Sequence, residues 1–223
     1  MNARALVLQH GDWGPPGILA DWASARGIAL DIHRADHGEP LPALNGQAFV
    51  ASLGSPHNPN DLHVESVQAE RLFIEEAVRG DTPVLGLCFG GQMLAAVLGG
   101  NVERAPEPEL GWYRVTSSDP SVVPPGPWLQ WHFDRFSTPP GARLIATSPS
   151  GPQAFVSGRH LAVQFHPEST IEIASEWARA DPARLLAHGI DGEERLERGR
   201  ANAGPAVEAA FQLFDAFWRR AHE

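Results

Sequence analysis

The chain has one cysteine, Cys88, at a point where the sequence changes from strand-like to helix-like. Before it, Val84–Leu87 is almost wholly apolar, as expected of a parallel strand buried on both faces. After it, residues 89–98 are rich in helix formers and end at two glycines. A thiol at such a turn is held above the sheet, beside the amides of a helix N-terminus that stabilise a thiolate. Glycines two residues before and after Cys88 favour this nucleophile over a cysteine that merely fills the core.

A second segment suited to chemistry is Phe165-His166-Pro167-Glu168. Residues two apart on an extended chain point the same way, so His166 and Glu168 should project together from the end of the last strand. Pro167 keeps His166 out of the helical region and removes a donor where strand pairing ends. A carboxylate beside an imidazole fixes its tautomer and stabilises its protonated form. His166 could therefore accept the Cys88 proton and return it to a leaving amine. By itself the motif is weak evidence, and it indicates catalysis only together with the nucleophile upstream.

The elements that must position these groups begin as β-α-β, which implies a parallel sheet. Short β-prone runs follow, separated by Pro- and Gly-rich turns, and the chain then becomes helical. The sequence thus predicts one α/β domain over residues 1–223, with a mostly parallel central sheet flanked by helices and additional antiparallel strands. Strands are predicted at 5–8, 28–32, 49–53, 84–87, 102–104, 112–115, 128–131, 144–146, 154–156 and 161–165. Helices are predicted at 15–26, at 61–79 with Asp61 as its cap, and at 89–98, 171–180, 183–187 and 205–220.

Composition excludes several other functions. Seventeen basic against 27 acidic side chains give a net charge of -10, which argues against a nucleic-acid or anionic-membrane surface. No segment approaches the roughly 20 apolar residues of a membrane span, and the first apolar run is too short for a signal peptide, so the expected compartment is the cytoplasm. A single cysteine allows neither an internal disulfide nor a multi-thiolate zinc site. Since no other residue set has metal-ligand spacing, we expect no metal and no cofactor.

The two motifs together resemble a known family. Gly86-Leu-Cys88-Phe-Gly90-Gly-Gln92, followed by Phe165-His166-Pro167-Glu168, is similar to the signature of the class I (triad-type) glutamine amidotransferases, which have a flavodoxin-like fold. Trp131-His132-Phe133-Asp134 is similar to a further signature, a Trp-His-Gly-Asp-type loop of stand-alone members resembling the glutaminase part of GMP synthase.

The resemblance implies a glutaminase half-reaction. Cys88 would attack the side-chain amide of glutamine, ammonia would leave with a proton from His166, and water would cleave the resulting thioester. Backbone amides of Phe89 and Ser55 would hold the oxyanion, and losing one such donor typically costs about 3 kcal/mol of barrier. The resemblance also implies a catalytic triad of Cys88, His166 and Glu168, with glutamine contacts at Gly54, Gln92, Phe133 and Asp134.

Two residues depart from the family pattern. The loop that usually reads Gly-Gly-Pro is Gly54-Ser55-Pro56 here, so a peptide flip at Ser55 would cost more than at glycine. Phe133 stands where glycine is usual, which could narrow the pocket or shift the preference from L-glutamine to another γ-glutamyl compound.

The acceptor side of the reaction is not visible in the sequence. Neither a P-loop nor a Ser-Gly-Gly-x-Asp-Ser pyrophosphatase loop occurs, so an ammonia-accepting synthetase would be a separate protein. Two alternatives stay open beside this amidotransferase. One is a free-standing hydrolase of γ-glutamyl amides, and the other is a catalytically idle member that only binds a partner.

Overall fold

The computed structural model describes residues 3–223, apart from the side chains of residues 184, 193, 195, 198 and 202. Its strands are β1 (Arg4–Gln9), β2 (Ala29–Arg34), β3 (Val50–Ser52), β4 (Val84–Leu87), β5 (Val102–Ser117), β6 (Gly126–Phe136), β7 (Arg143–Ser148), β8 (Gly151–Ser157) and β9 (His160–Val163). Its helices are α1 (Gly17–Ala25), α2 (Glu65–Arg79), α3 (Phe89–Val97), α4 (Ile171–Ala180), α5 (Pro182–Ala187) and α6 (Gly192–His222). In this part of the chain, no helix combines the length and the apolar character needed to cross a membrane.

The strands form one nine-stranded sheet in the order β2-β1-β3-β4-β9-β8-β7-β5-β6. The first five of these are parallel to their neighbours, as the β-α-β opening predicts. From β9 onward each pairing is antiparallel. The predicted α/β fold with a parallel central sheet and added antiparallel strands is therefore confirmed. The parallel pairing of β4 with β9 matters most, because it joins the strand before Cys88 to the strand before His166.

Helices cover both faces of the parallel strands. Successive residues of β1 enter different apolar clusters: Val7 packs in the cluster of α1 and α6, and Leu8 in the cluster of α2 and α3. This follows from the period of two along a strand. A third cluster joins α4, α5 and the start of α6 to β5 and β6, with Trp177 among its buried residues. This cluster packs helix α4, which follows Glu168, against β5 and β6.

Helix α2 begins later than predicted, and Asp61 is not its cap. The residue before the helix is Val64, which makes no side-chain capping bond. The Asp61 carboxylate instead accepts the Asn58 N–H at 2.9 Å. Residues 58–64 therefore form successive turns, because their donors are satisfied locally before the helix starts.

Two longer elements also differ from the prediction. The predicted strands 102–104 and 112–115 are one strand, β5, whose register with β6 shifts between Arg104 and Glu109. Pro106 and Pro108 lie in that interval and have no N–H to donate, which explains why the sequence reads as two pieces. Helix α6 begins at Gly192 and contains Pro205, whereas the prediction placed its start at that proline. Packing of Leu196 and of later apolar residues in two clusters outweighs the local cost of an internal proline.

Candidate active site

Cys88 occupies a strained turn between β4 and α3. Its backbone has φ 53° and ψ -107°, a region that non-glycine residues rarely adopt. Such a conformation costs of order 1–3 kcal/mol and persists only where the surroundings fix it. Here the Cys88 N–H donates to the Val163 carbonyl at 2.9 Å, which anchors the turn to β9. Because α3 starts immediately afterwards, the thiol lies at the N-terminal end of a helix.

The glycines around Cys88 are required by space. A Cβ atom at Gly86 would lie 2.5 Å from the Gly90 carbonyl oxygen. At Gly90 it would overlap the Ser52 carbonyl oxygen, and at Gly91 it would lie 2.5 Å from the Val163 carbonyl oxygen. These contacts involve backbone, which cannot move aside cheaply. The small residues therefore allow α3 to pack against β3, β4 and β9 directly behind the thiol.

His166 and Glu168 form a buried pair. The His166 Nδ1 and Glu168 Oε1 atoms are 2.7 Å apart, and each side chain is only 4% exposed. The strand predicted to end at residue 165 ends at Val163, so both side chains project from a turn and not from a strand end. The His166 N–H donates to the Leu129 carbonyl at 2.8 Å, which holds this turn against β6. Since a carboxylate accepts, Nδ1 carries a proton, and Nε2 is left for another group.

The electrostatics of His166 connect it to Cys88. Burial of the ring opposes protonation, but the negative charges of Cys88 and Glu168 outweigh it and raise the pKa of His166 to about 10. The Nε2 atom makes no hydrogen bond of regular geometry with the described residues. The sulfur is thus close enough to influence the imidazole charge without being a well-aligned acceptor. Catalytic hydrogen bonds are often loose before substrate binds, so this arrangement suits proton exchange between the two groups.

Helix α1 and a tryptophan fix the Glu168 turn. The Glu168 carbonyl accepts the Ile18 N–H at 2.8 Å, and Gly17 approaches that carbonyl so closely that a Cβ atom would overlap it. Trp177 contacts the edge of the His166 ring at 4.8 Å between centroids, and its indole N–H donates to the Trp13 carbonyl at 2.7 Å. The imidazole is consequently held on several sides.

Phe89 and Ser55, whose backbone amides are predicted to hold the oxyanion, line a common cleft. Both residues line it together with Cys88 and His166. Neither amide N–H donates to an acceptor among the residues that the structure describes. At Gly54, a Cβ atom would lie 2.9 Å from the His166 Cε1 atom, so a larger residue there would displace the imidazole. The loop after β3 therefore lies directly against the buried histidine.

Two of the residues predicted to hold glutamine, Gln92 and Asp134, are hydrogen-bonded to each other. Gln92 is buried, and its Nε2 donates to the Asp134 carbonyl at 3.0 Å and to the Gln164 side chain at 3.2 Å. Phe133 and Asp134 were predicted in a loop, but they lie within strand β6. Pairing with β5 explains the difference, because β6 continues beyond the predicted end of its strand. The Asp134 carboxylate accepts from Asn58 Nδ2 at 3.0 Å.

Sequence reasoning missed several residues that contact the thiol or the side chains of strand β6. Gln164 Nε2 lies 3.7 Å from the Cys88 sulfur. Arg104 covers the Phe133 ring at 4.8 Å from its centroid. Buried Glu109 accepts from His132 Nε2 at 3.1 Å and orders the strand that carries Asp134. Only Gln164 had a usable signal, its position two residues before His166, because the others approach from distant parts of the chain.

The cleft above Cys88 has a volume of about 560 Å³, which is within the range of small-molecule sites. One wall is aromatic, formed by Trp13, Trp131, Phe133 and Trp177. Among the described residues, no group of three or more His, Cys, Asp or Glu side chains is arranged to hold a metal ion.

The fold and this site are typical of α/β enzymes that use a cysteine nucleophile. The chain belongs to the class-I glutamine amidotransferase family, because the model of "Glutamine amidotransferase class-I" matches residues 20–177. Members of this family are typically glutamine-hydrolysing enzymes.

Individual relatives agree with the family. The chain is 29% identical over 185 residues to the glutamine amidotransferase-like protein YfeJ of Salmonella typhimurium, covering 76% of this chain and 77% of that protein. It is 35% identical over 142 residues to the glutamine-hydrolysing GMP synthase of Brucella melitensis, covering 58% of this chain but only 27% of that protein. The crystal structure of a glutamine amidotransferase from Thermotoga maritima has a TM-score of 0.90 and 28% identity, with 100% of both chains covered.

Proposed function

We propose that this protein hydrolyses the side-chain amide of L-glutamine through a thioester on Cys88 and supplies the ammonia to an acceptor. The observation that carries the proposal is the buried pair of His166 and Glu168, 2.7 Å apart, whose imidazole responds to the charge of Cys88. Membership of the amidotransferase family and the cleft above the sulfur support it.

The reaction begins with the Cys88 thiolate and the His166 imidazolium. The sulfur attacks the amide carbon, a C–S bond forms, and the carbonyl electrons move onto oxygen. When the C–N bond breaks, Nε2 of His166 gives its proton to the departing nitrogen, so ammonia leaves. The neutral imidazole then takes a proton from water, whose oxygen attacks the thioester carbon. Breaking the C–S bond releases glutamate and restores the ion pair. Glu168 holds Nδ1–H throughout and stabilises the imidazolium.

Backbone donors stabilise the negative oxygen in both steps. The amides of Phe89 and Ser55 line the cleft beside the sulfur and have no acceptor among the described residues, so both are available for the oxyanion. Donors that are already in position before substrate binds stabilise a developing charge most effectively.

The amino-acid end of glutamine binds beside the strand β6. Gln92 holds the Asp134 carbonyl, and Phe133 lines the same cleft, so the backbone at Phe133 and Asp134 forms one side of the proposed pocket. Gly54 lines the same cleft, and its lack of a side chain leaves room for the His166 ring. Residues 1–223 are proposed to act as one domain. We assign the ammonia acceptor to a separate synthetase in the cytoplasm.

The test is ammonia release by the purified chain, with Cys88→Ala as the blank. Release from glutamine only when a second protein is added supports the amidotransferase, whereas the blank should release none. Labelling of Cys88 by a glutamine-like diazoketone tests the nucleophile separately. If neither wild-type turnover nor labelling occurs under any condition, the protein is the idle, partner-binding member of the family.

A second candidate is the free-standing hydrolase of γ-glutamyl amides. The observation that favours it is the aromatic wall of Trp13, Trp131, Phe133 and Trp177 around a cleft of about 560 Å³, which can accept a leaving group larger than ammonia. A panel of γ-glutamyl amides with alkyl and aromatic amines distinguishes the two. Efficient unaided cleavage of the bulkier amides, with poor cleavage of glutamine, would support the hydrolase.

A further inference from the structure

A buried polar network lies behind the loop that carries Gly54 and Ser55. His10 follows β1, and its Nε2 is 2.6 Å from Glu70 Oε2 on helix α2. The other Glu70 oxygen accepts the Ser52 hydroxyl at 2.5 Å, and Glu70 is only 1% exposed. The remaining ring nitrogen, His10 Nδ1, is 3.0 Å from the Gly54 carbonyl oxygen. The network therefore runs from the sheet and α2 to one peptide group of the loop.

The direction of the last hydrogen bond is fixed by chemistry. A carbonyl oxygen only accepts, so His10 Nδ1 must carry a proton and donate it to Gly54. The other nitrogen, Nε2, is 2.6 Å from a Glu70 carboxyl oxygen, and the charge of Glu70 favours the imidazolium form of His10. Burial lowers the pKa of His10, but the charge and hydrogen bond of Glu70 outweigh it and the pKa is raised above its ordinary value. Asp36 adds a smaller contribution of the same sign.

The same bond sets the direction of the Ser55 amide. The described backbone has no cis peptide, and in a trans peptide the carbonyl and the following N–H point in opposite directions. His10 lines a second cavity of about 160 Å³, Gly54 lines the main cleft with Cys88, and Ser55 lies between them and lines both. Since the Gly54 carbonyl points back toward His10, the Ser55 N–H points away from it, toward the main cleft.

His10 also touches the second proposed oxyanion donor. Its ring meets the Phe89 ring edge-on, with 5.0 Å between centroids. Phe89 lines both cavities and follows the nucleophile directly. One buried side chain thus contacts the loop that carries Ser55 and the residue that supplies the other amide. A buried ion pair is often no more stabilising than well-packed apolar residues, so what this pair adds to the site is the orientation of the groups that it contacts.

We propose that His10, held by Glu70, is a positioning residue that locks the Gly54–Ser55 peptide with its N–H facing the oxyanion of the Cys88 intermediate. Turning this peptide over would break a charge-assisted hydrogen bond and leave a buried donor unpaired. The presence of Ser55 in place of a second glycine adds to the cost of that turn. This role of His10, called the peptide lock below, rests on the proposed function, because it acts on the oxyanion of that reaction.

The first test compares amide hydrolysis with simple alkylation of Cys88. His10→Phe keeps a ring against Phe89 but removes the donor to Gly54. We expect kcat for ammonia release to fall by about 10²–10³-fold, as for loss of one oxyanion donor, with KM for glutamine little changed. Alkylation of Cys88 by iodoacetamide passes through no oxyanion, so its rate should stay within about twofold of wild type. Equal losses in both rates, or an unchanged kcat, would overturn the proposal.

Three further variants separate the loss of this hydrogen bond from misfolding. Glu70→Gln should lose less than about tenfold in kcat, because the amide N–H can donate to Nε2 of neutral His10 and leave Nδ1–H on the loop. If His10→Phe leaves the Glu70 charge unpaired and unfolds the chain, His10→Phe/Glu70→Gln removes that charge and should show the same loss of kcat. His63→Phe, at an exposed histidine outside both cavities, is the matched control and should behave as wild type.

A readout without turnover separates this proposal from the proposed function. In ¹⁵N-labelled wild type, the imidazole spectrum of His10, assigned by its absence in His10→Phe, should show a protonated Nδ1 at pH 8. If the chain hydrolyses no γ-glutamyl amide but this proton is present, the glutaminase proposal fails while the peptide lock stands. An unprotonated Nδ1 would refute the lock whatever the activity.

Discussion

The carboxylate of Glu168 should control how strongly His166 holds its proton, and Glu168→Gln tests this directly. The two side chains are 2.7 Å apart and each is 4% exposed, so their contact is a buried, charge-assisted hydrogen bond. Such a bond is worth about 1.5–3 kcal/mol, and one pKa unit corresponds to about 1.4 kcal/mol. Removing the charge should therefore lower the pKa of His166 by about 1–2 units from its value of about 10.

The sign follows from which form the carboxylate stabilises. Glu168 favours the imidazolium, so its loss favours the neutral ring and the pKa falls. In the wild type, the folded-state pKa lies above the unfolded value, so this group's contribution to stability is complete below about pH 6.5 and is lost as the pH rises through about 10. In Glu168→Gln, the same contribution is lost at a lower pH.

Two measurements check this shift. An NMR titration of the His166 ring, assigned with His166→Asn, gives the pKa without turnover. If the proposed mechanism holds, the alkaline limb of kcat/KM for glutamine should move down with it, because the imidazolium protonates the leaving nitrogen. Glu172→Gln, at an exposed carboxylate of α4, is the matched control and should leave the titration unchanged. A His166 pKa that stays constant or rises in Glu168→Gln would refute the reasoning.

Two predictions concern the strained turn between β4 and α3. Cys88→Gly should be more stable than Cys88→Ala by about 1 kcal/mol in urea unfolding. Glycine relieves most of the strain at φ 53°, but its greater freedom in the unfolded state cancels part of that gain. Equal stabilities would show that the turn is unstrained. Gly90→Ala should lower stability by about 1–3 kcal/mol or more, since its Cβ would overlap the Ser52 carbonyl oxygen. Gly126→Ala, where the added Cβ meets no atom within 4 Å, is the control for that substitution.

Local patterns predicted the parts of the fold that depend on near neighbours. The strand Val84–Leu87 and the helix starting at Phe89 occur where expected, because an apolar run, a glycine-rich turn and a run of helix formers lie next to each other in sequence. Helix α4 likewise has its predicted bounds, 171–180, with Thr170 capping the Ile173 N–H. The prediction was wrong at Asp61, where hydrogen-bonded turns delay the start of α2, and at Pro205, where packing with distant residues outweighs local preference.

The features of the candidate site also fall into those that near neighbours in sequence determine and those that depend on distant contacts. The sequence by itself determined that Cys88 sits on a strand–helix corner and that His166 and Glu168 are close together, since both are short-range features. The tertiary structure alone decided that β9 pairs beside β4, that Asp134 lies on a strand under Gln92, and that His10 reaches the Gly54 carbonyl from the other side of the loop. Those contacts join residues tens of positions apart. Their geometry depends on how the whole sheet and its helices pack, which no short stretch of sequence encodes.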